Sequence, residues 1–254
     1  DPRSLRDMEA AATRFLSALQ KRERIAIFAD YDVDGGSSAA LLLVWLRDMG
    51  HRATLYIPDR IDEGYGPNDE AMSALAADHD LIVCVDCGTL SHGPIAAAKG
   101  ADVIVLDHHL GGETLPDALA VVNPNRQDED GTLAHLCAAA VVFLMLVEAG
   151  RQLREAGLKG PDLMGMLDLV GLATVADVAP LIGVNRFMEE DEKLDMELHP
   201  HDATTTERQL TRLNQVRKDR DEAKVQQLLK ELVEVAKDES KNMMPITIEL
   251  VKAG

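Results

Sequence analysis

The stretch FADYDVDGGSSAALL, residues 28–42, determines the predicted fold of this chain. It starts at the end of the apolar run IAIFA (25–29) and passes through three alternating aspartates, Asp30, Asp32 and Asp34, into an apolar segment with helical spacing. A β-strand that leads through a short polar turn into a helix is the first part of a βαβ unit. Carboxylates crowded at a strand end repel one another, so this turn is either a cation site or a solvated loop.

The same alternation of strands and helices continues to about residue 122. Further strands are predicted at 53–57, 81–85, 102–106 and 118–122, and helices at 37–49, 68–77 and 94–99. Residues 134–180 are predicted to be helical. Strands that alternate with helices indicate an α/β fold with a doubly wound, mainly parallel sheet flanked by helices.

Composition restricts the classes of function. The chain has no run of eighteen apolar residues, which argues against a membrane span. Its first residues lack the pattern of a secretory leader, and three cysteines then predict reduced thiols in a cytoplasmic protein. The formal net charge of −18 disfavours binding of DNA over a broad basic surface. Carboxylates that hold cations would lower the effective charge.

The composition changes near residue 187, and three regions are predicted. These are a domain at 1–187, an acidic linker at 188–206 and a helical tail at 207–254. The tail shows Leu and Val at helical spacing among many charges, in one or two amphipathic helices that end before NMMPITIELVKAG (242–254). The amphipathic tail is a candidate for self-association.

Acids and histidines also follow two other predicted strands. Asp86 ends the third strand in VCVDCG, and Asp107, His108 and His109 end the fourth in IVLDHHL. Asp177, in ATVADVAPL, lies near the end of an apolar helical stretch. Because the carboxyl ends of parallel strands share one edge of the sheet, these groups supply ligands for two divalent cations. Carboxylates with imidazoles suit Mn²⁺ or Mg²⁺, and a metal pair suits phosphoryl transfer.

Simpler interpretations of these residues stay open. Asp34 would cap a helix that begins near Ser37. Gly35, Ser37 and Ser38 at that helix start predict a phosphate cradle, although such residues open many helices for structural reasons. The adjacent histidines would point to opposite sides of an extended chain, so that one ligates and the other reaches the substrate, unless the backbone turns there.

Other types of active site are disfavoured. Cys84 and Cys87 form a C-x-x-C, but Cys84 lies within an apolar strand and no second pair exists. A Walker A lysine, a G-x-G-x-x-G pattern and a G-x-S-x-G elbow are all missing from the sequence. These observations argue against thiol chemistry, nucleotide-triphosphate or dinucleotide binding, and a serine hydrolase.

The motifs DYDVDG, VDCG, LDHH and GLATVADVAPL together resemble the four motifs of the DHH phosphoesterase superfamily. YIPDRIDEGYGPN and VVNPNRQDED resemble its RecJ branch of single-strand-specific 5′ to 3′ exonucleases, over about residues 4–186. The resemblance implies that Asp86 bridges two metal ions and that the other ligands are Asp32, Asp34, His108 and Asp177. It also implies supporting catalytic acids at Asp30 and Asp107, a phosphate-contacting His109, and substrate contacts from Asn123 and Arg126.

From about residue 183 the chain resembles a different family. GVNRFMEEDEKLDMELHPHD and RLNQVRKDRDEAKVQQLLKELVEVAKD are similar to the end of the catalytic barrel and the following helical linker of methylmalonyl-CoA mutase-type large subunits. The second DHH-associated domain and the OB-type domain of RecJ proteins are not visible here. We assign the tail no mutase activity.

The RecJ resemblance implies a Mn²⁺- or Mg²⁺-dependent phosphodiesterase that hydrolyses single-stranded DNA or short oligonucleotides from the 5′ end. Such an enzyme would serve DNA repair and recombination. Two alternatives stay open. One is another DHH activity, on nanoRNA, a cyclic dinucleotide or pyrophosphate. The other is a non-catalytic fusion whose helical tail mediates association.

Overall fold

Five parallel strands form the sheet of the N-terminal unit in the order β2-β1-β3-β4-β5. The computed structural model describes residues 1–177, 211, 215, 218, 222–237 and 244–253. The chain divides into two units, Asp1–Met188 and Glu189–Gly254, which we describe separately. The strands are β1 Ile25–Ala29, β2 Ala53–Tyr56, β3 Leu81–Val85, β4 Asp102–Leu106 and β5 Ala120–Val122.

Six α-helices accompany these strands in the described part of the unit. They are α1 Met8–Lys21, α2 Val33–Asp48, α3 Asp69–Asp78, α4 His92–Ala97, α5 Ala138–Glu155 and α6 Leu167–Ala176. Short 3₁₀ helices lie at Pro2–Ser4 and Met164–Met166. The predicted class, a parallel α/β sheet flanked by helices, is confirmed.

Helices pack against both faces of the sheet. Alternate side chains of a strand point to opposite faces, so Ile25 and Ile27 of β1 join a core with α1, α2 and α5. Ala26 and Phe28 of the same strand face the other way and pack with α3 and α4. Strands β1 and β3 are buried along their whole length, as expected for central strands of a doubly wound sheet.

The ladder of the sheet fixes the positions of three acids. Asp30, Asp86 and Asp107 each directly follow a strand, and their amides donate to Val85 O, Leu106 O and Val122 O in the neighbouring strand. These three aspartates therefore lie side by side, one residue beyond the last paired residues of β1, β3 and β4. The strand order reverses between β1 and β3, and ligands of such sheets bind outside the carboxyl ends of strands at this switch point.

Helix α2 begins earlier than the sequence prediction. It starts at Val33 rather than near Ser37, and its N-cap is Asp32, whose side chain accepts hydrogen bonds from the amides of Asp34 and Gly35. The expectation that Asp34 caps this helix is wrong. The two glycines suggested a loop before the helix, but a side-chain cap can start a helix directly ahead of them.

The predicted helical region 134–180 contains two separate helices in its described part, α5 and α6, with a 3₁₀ turn between them. Asp177 follows α6 directly, at its C-cap. Among the described residues, no helix combines the length and the apolar character needed to cross a membrane.

The described part of the C-terminal unit contains α7, Glu222–Ala236, and α8, Met244–Ala253, which pack against each other. The prediction that the helices end before residue 242 is wrong, since α8 lies within that segment. Pro245 occupies the first turn of α8, where a helix needs no amide donor, so this proline does not interrupt it. The predicted acidic linker lies outside the described residues, and the three-region division stays a prediction.

Candidate metal centre

Asp86 lies at the middle of the acidic edge of the sheet. Its side chain is almost fully buried, and neither carboxylate oxygen accepts a hydrogen bond. Its backbone has φ of 60°, in the left-handed region that few residues other than glycine adopt. Burial raises the pKa of this carboxyl to about 8, the contact with His108 opposes the rise, and the nearby charges of Asp34 and Asp32 add to it. A buried carboxylate without hydrogen bonds is costly unless a cation compensates it.

Three overlapping groups of side chains within the described residues converge around Asp86. In each group the potential ligand atoms lie within 4.8 Å of one another. The groups are Asp30 with Asp32 and Asp86, Asp86 with His108 and His109, and Asp34 with His108 and Asp177. All five metal ligands that the sequence implied belong to these groups, together with Asp30 and His109.

Residues 30–36, which we call the β1 corner, hold their acids through the start of α2. Oδ1 of Asp32 accepts from the amides of Asp34 and Gly35 at 2.9 and 3.0 Å. The carboxylate of Asp34 turns the other way and accepts from Ala138 N and Ala139 N at 2.7 and 2.8 Å, at the start of α5. Burial raises the pKa of Asp34 despite these bonds. Asp34 therefore joins α2 to α5.

Residues 107–111, which we call the β4 corner, carry the histidine pair. Nε2 of His108 lies 3.3 Å from Oδ1 of Asp86 and 3.7 Å from Oδ2 of Asp34, and its Nδ1 lies 3.7 Å from Oδ2 of Asp177. Nδ1 of His109 lies 3.9 Å from the same oxygen of Asp86. Both rings thus lie beside Asp86, and the opposite directions expected for an extended chain do not occur, because the chain bends here.

Asp107 organises the β4 corner rather than facing the centre. Its Oδ1 accepts from His108 N, His109 N and His109 Nδ1, and its Oδ2 accepts from Thr89 N. Burial raises the pKa of this carboxyl, but the bonds from His109 and Thr89 outweigh it and lower the pKa to about 2. The bond to Asp107 raises the pKa of His109 to about 9. The bond to Asp107 thus favours the protonated form of His109.

Two residues near the centre carried no role in the sequence prediction. The Tyr65 hydroxyl lies 3.2 Å from Nε2 of His109 and donates to Asp86 O at 3.3 Å. Thr89, directly after the VDCG motif, binds Asp107 through its amide. Tyr65 lies in the EGYGPN segment that resembles RecJ sequences. The resemblance therefore marked this segment, but no sequence pattern predicted the contact of Tyr65 with His109.

A phosphate cradle of the kind predicted from GGSS needs free backbone amides, but the amides of residues 34–36 already donate within the protein. The amides of Asp34 and Gly35 donate to the Asp32 side chain, and that of Gly36 donates to Asp32 O. Ser37 and Ser38 are buried in α2. Gly35 has a packing role, because a Cβ atom there would lie 2.4 Å from Asp30 O. A role for these residues in substrate binding stays a prediction without support from this geometry.

The two predicted substrate contacts after β5 bind protein groups instead. The side-chain nitrogen of Asn123 donates to Thr89 Oγ1 and His109 O, both at 2.8 Å. The Arg126 guanidinium is buried and donates to Asp7, Asp128 and the Val121 carbonyl. The structure therefore gives both residues structural partners, and their contact with substrate stays a prediction.

The donor set fits divalent cations that prefer oxygen. Four aspartates supply carboxylate oxygens and His108 supplies an imidazole, a combination that suits Mn²⁺ or Mg²⁺. The buried oxygens of Asp86 and Oδ1 of Asp30 lack hydrogen bonds, and cation coordination would satisfy them. None of the three groups within the described residues contains a cysteine. Fold and site define an α/β protein with an acid- and histidine-rich centre at the switch point of its sheet.

The chain belongs to the DHH family, because the family model "DHH family, N-terminal domain" matches residues 24–174. The single-stranded-DNA-specific exonuclease RecJ of Dickeya dadantii is 41% identical over 198 residues, which are 74% of this chain and 34% of that protein. A crystal structure of exonuclease RecJ bound to manganese superposes with a TM-score of 0.63 at 35% identity, over 72% of this chain and 46% of that one. The chain spans about a third of the length of the first curated relatives it matches.

The C-terminal region matches a second family. The methylmalonyl-CoA mutase model covers residues 174–254. The 2-hydroxyisobutanoyl-CoA mutase large subunit of Aquincola tertiaricarbonis is 64% identical over 75 residues, which are 30% of this chain and 13% of that protein. Both comparisons support the change of family that the sequence indicated, although the two family models meet at residue 174 rather than near residue 183.

Proposed function

We propose that this chain is a metal-dependent phosphodiesterase that removes nucleotides from the 5′ end of single-stranded DNA. The observation that carries the proposal is the buried Asp86 carboxylate, which has no hydrogen bonds and lies among the acids and histidines of three strand ends. Similarity to RecJ exonucleases, one of them manganese-bound, supports the choice of reaction and metal.

Five residues would hold two Mn²⁺ or Mg²⁺ ions; they are Asp32, Asp34, Asp86, His108 and Asp177. Bound cations of this type supply Lewis-acid stabilisation for in-line displacement at phosphorus. Asp30 lies beside Asp32 and Asp86 at the same edge and would act as a supporting acid of the site.

His109 would contact the phosphate of the substrate. Its side chain is 46% exposed, unlike that of His108, so it can reach a ligand outside the centre. Asp107 accepts a hydrogen bond from Nδ1 and favours the protonated ring, whose exposed edge would face the phosphate. Tyr65 lies against this ring and restricts its orientation.

Hydrolysis of labelled oligonucleotides tests the proposal. With Mn²⁺, the wild-type chain should release nucleotides from a single-stranded DNA whose 3′ end carries the label, and Asp86→Asn should reduce the rate at least a hundredfold. Asp117→Asn is the matched control, because it removes the charge of an exposed acid outside the centre. Equal rates for wild type and Asp86→Asn would reject the assignment.

A substrate panel separates the proposed activity from other phosphoesterase activities. Faster turnover of a dinucleotide RNA, a cyclic dinucleotide or pyrophosphate than of single-stranded DNA would replace the proposed substrate while retaining the metal centre. Metal binding without turnover of any of them would favour a non-catalytic fusion.

We also propose that the protein self-associates through its C-terminal unit. On α7 the side chains of Leu229 and Val233 lie one turn apart and are 38% and 53% exposed. A second copy would cover this apolar pair. Light scattering should show a mass above that of one chain for wild type and for the control Glu231→Lys, and a smaller mass for Leu229→Lys/Val233→Lys. A monomeric wild-type chain would contradict this proposal.

We propose a cytoplasmic location because the cysteines are free thiols. All three cysteines are buried and unpaired, as expected in a reducing compartment. Cell fractionation with an antibody to the chain checks the location, and recovery outside the cytoplasm would reject it.

A further inference from the structure

The loop after β5 binds the backbone of the histidine pair at two points. Nδ2 of Asn123 donates to His109 O at 2.8 Å, and Nδ2 of Asn125 donates to His108 O. Because carbonyl oxygens can only accept, the amide groups of both asparagines must present their NH₂ sides to the histidines. Oδ1 of Asn123 in turn accepts from Asn125 N at 2.7 Å, which fixes the two asparagines relative to each other.

The amides of the two histidines are held from the opposite direction. His108 N and His109 N both donate to Oδ1 of Asp107, at 2.7 and 3.2 Å. The N–H and C=O groups of both histidines are thus bound by side chains rather than by a helix or a sheet ladder. Fixing a backbone at both ends of each residue restricts the directions its ring can take.

The loop itself is anchored away from the centre. Arg126 donates to Oδ2 of Asp7 at 2.7 Å and forms a paired contact with the Asp128 carboxylate at 2.9 Å. Gly111 N donates to Asn125 O, and a Cβ atom on Gly111 would lie 3.2 Å from that oxygen. The loop and the β4 corner therefore pack at backbone contact distance.

We infer that Asn123 and Asn125 are positioning residues that set the rings of His109 and His108 for metal and substrate, with Arg126 as the anchor of their loop. The inference rests on the proposed metal-dependent function. It gives the VVNPNRQ segment a role other than substrate contact, because the hydrogens of both side-chain amides already point to protein acceptors. Neither asparagine needs to touch the reacting atoms.

Substitution of Asn125 by an isosteric residue tests the inference. Asn125→Asp keeps the shape of the side chain but removes the donors that face His108 O and Ala134 O. Isothermal titration with Mn²⁺ should show binding weakened by about 10- to 100-fold, the range typical of residues that orient metal ligands. Asn125→Ala is the second variant, because it removes the amide without placing a charge beside the carbonyl oxygens.

A destabilised control variant separates a loss of histidine-ring positioning from a general loss of fold stability. Leu16→Ala removes a buried side chain of α1, a helix that contacts β4 through Arg14 and Asp102 at the end away from the histidines, and should lower the melting temperature without changing Mn²⁺ affinity. The Asn125 variants should lose Mn²⁺ affinity at a melting temperature in EDTA no lower than that of Leu16→Ala. Ring ¹⁵N–¹H NMR spectra of the metal-free chain should show shifted His108 and His109 signals in the Asn125 variants only.

Two results would overturn the inference, and they have different consequences for the proposed function. If wild type binds Mn²⁺ and both Asn125 variants bind it within twofold with unchanged ring signals, the positioning role is wrong and the proposed function stands. If wild type itself shows no Mn²⁺ binding, the metal-dependent function and the positioning role fail together.

Discussion

The β1 corner and the β4 corner bring the proposed metal ligands to the same place by different physical means. At the β1 corner the chain enters α2 at once, and Asp32 caps the helix with bonds to residues two and three positions ahead. At the β4 corner no helix follows, and side chains 14 and 17 positions further along the chain bind the carbonyls of the histidine pair. Asp107 holds the histidine amides locally there, and α5 holds Asp34 from a distance at the β1 corner. The turn at Asp32 is therefore set by local geometry, whereas the histidine carbonyls depend on long-range hydrogen bonds.

The largest expected effect tests whether the β1 corner depends on close packing. Gly35→Ala would place Cβ 2.4 Å from Asp30 O, and backbone on both sides leaves little room to relax. We expect a loss of about 3 kcal/mol in the free energy of unfolding, at the upper end of overpacking effects. Urea denaturation in EDTA measures it.

Gly36→Ala is the control for that substitution, since nothing lies within 4 Å of a Cβ atom there. The free energy of unfolding should rise by about 0.5–1 kcal/mol, because alanine is the better helix former. Losses of the same size at positions 35 and 36 would show that close approach to Asp30 does not limit this corner.

The second prediction addresses the hydrogen bonds of the β4 corner. Asp107→Asn places an amide NH₂ group against N–H donors that now bind a carboxylate. We expect a loss of about 2–3 kcal/mol, as for a buried bond to a charged group. Asp102→Asn, at the other end of β4 in a surface pair with Arg14, should cost less than about 1 kcal/mol.

The acid side of the pH profile gives a further check on Asp107. Its pKa is lowered from 3.8 to about 2 in the folded chain, so its stabilising effect is complete above pH 4 and is lost as the pH falls through 2. The stability difference between wild type and Asp107→Asn in EDTA should shrink over that interval. A constant difference from pH 5 to pH 2 would contradict the assigned role.

The smallest expected effect separates the two roles of Asp32. Asp32→Asn keeps an N-cap acceptor and should unfold within about 0.5 kcal/mol of wild type, whereas Asp32→Ala should lose about 1 kcal/mol. Both variants should bind Mn²⁺ more weakly than wild type in calorimetric titrations. Equal Mn²⁺ affinity of Asp32→Asn and wild type would limit Asp32 to its capping role.

The sequence predicted the sheet well because its information is local. Apolar runs such as LIVCV (81–85) and the acids after them define strand ends, and parallel topology then brings Asp30, Asp86 and Asp107 to one edge. The start of α2 was misplaced because a side-chain cap outweighed the low helix propensity of two glycines. Helix α8 was missed because its β-branched residues and Pro245 suggested an irregular segment.

The contacts of the β4 corner could not be predicted from local patterns. The bonds from Asn123 and Asn125 to the histidines join residues 14 and 17 positions apart. At the β1 corner, the bonds that Asp34 accepts from α5 likewise join residues more than 100 positions apart. Motif resemblance assigned Asn123 and Arg126 to the substrate and gave Asn125 no role. Only their partners in three dimensions indicate a positioning role.

The thermal stability of the chain with and without Mn²⁺ tests the metal centre most directly. At Mn²⁺ about 100-fold above the dissociation constant, binding should stabilise wild type by about 2.7 kcal/mol, or a rise of about 5–10 °C in melting temperature. Asp86→Asn should melt in EDTA at or above the wild-type temperature, since it replaces a buried carboxyl whose ionised form has no hydrogen bonds and is disfavoured by burial, and should show no rise with Mn²⁺. A wild-type chain unaffected by Mn²⁺, or an equal rise in Asp86→Asn, would contradict the account.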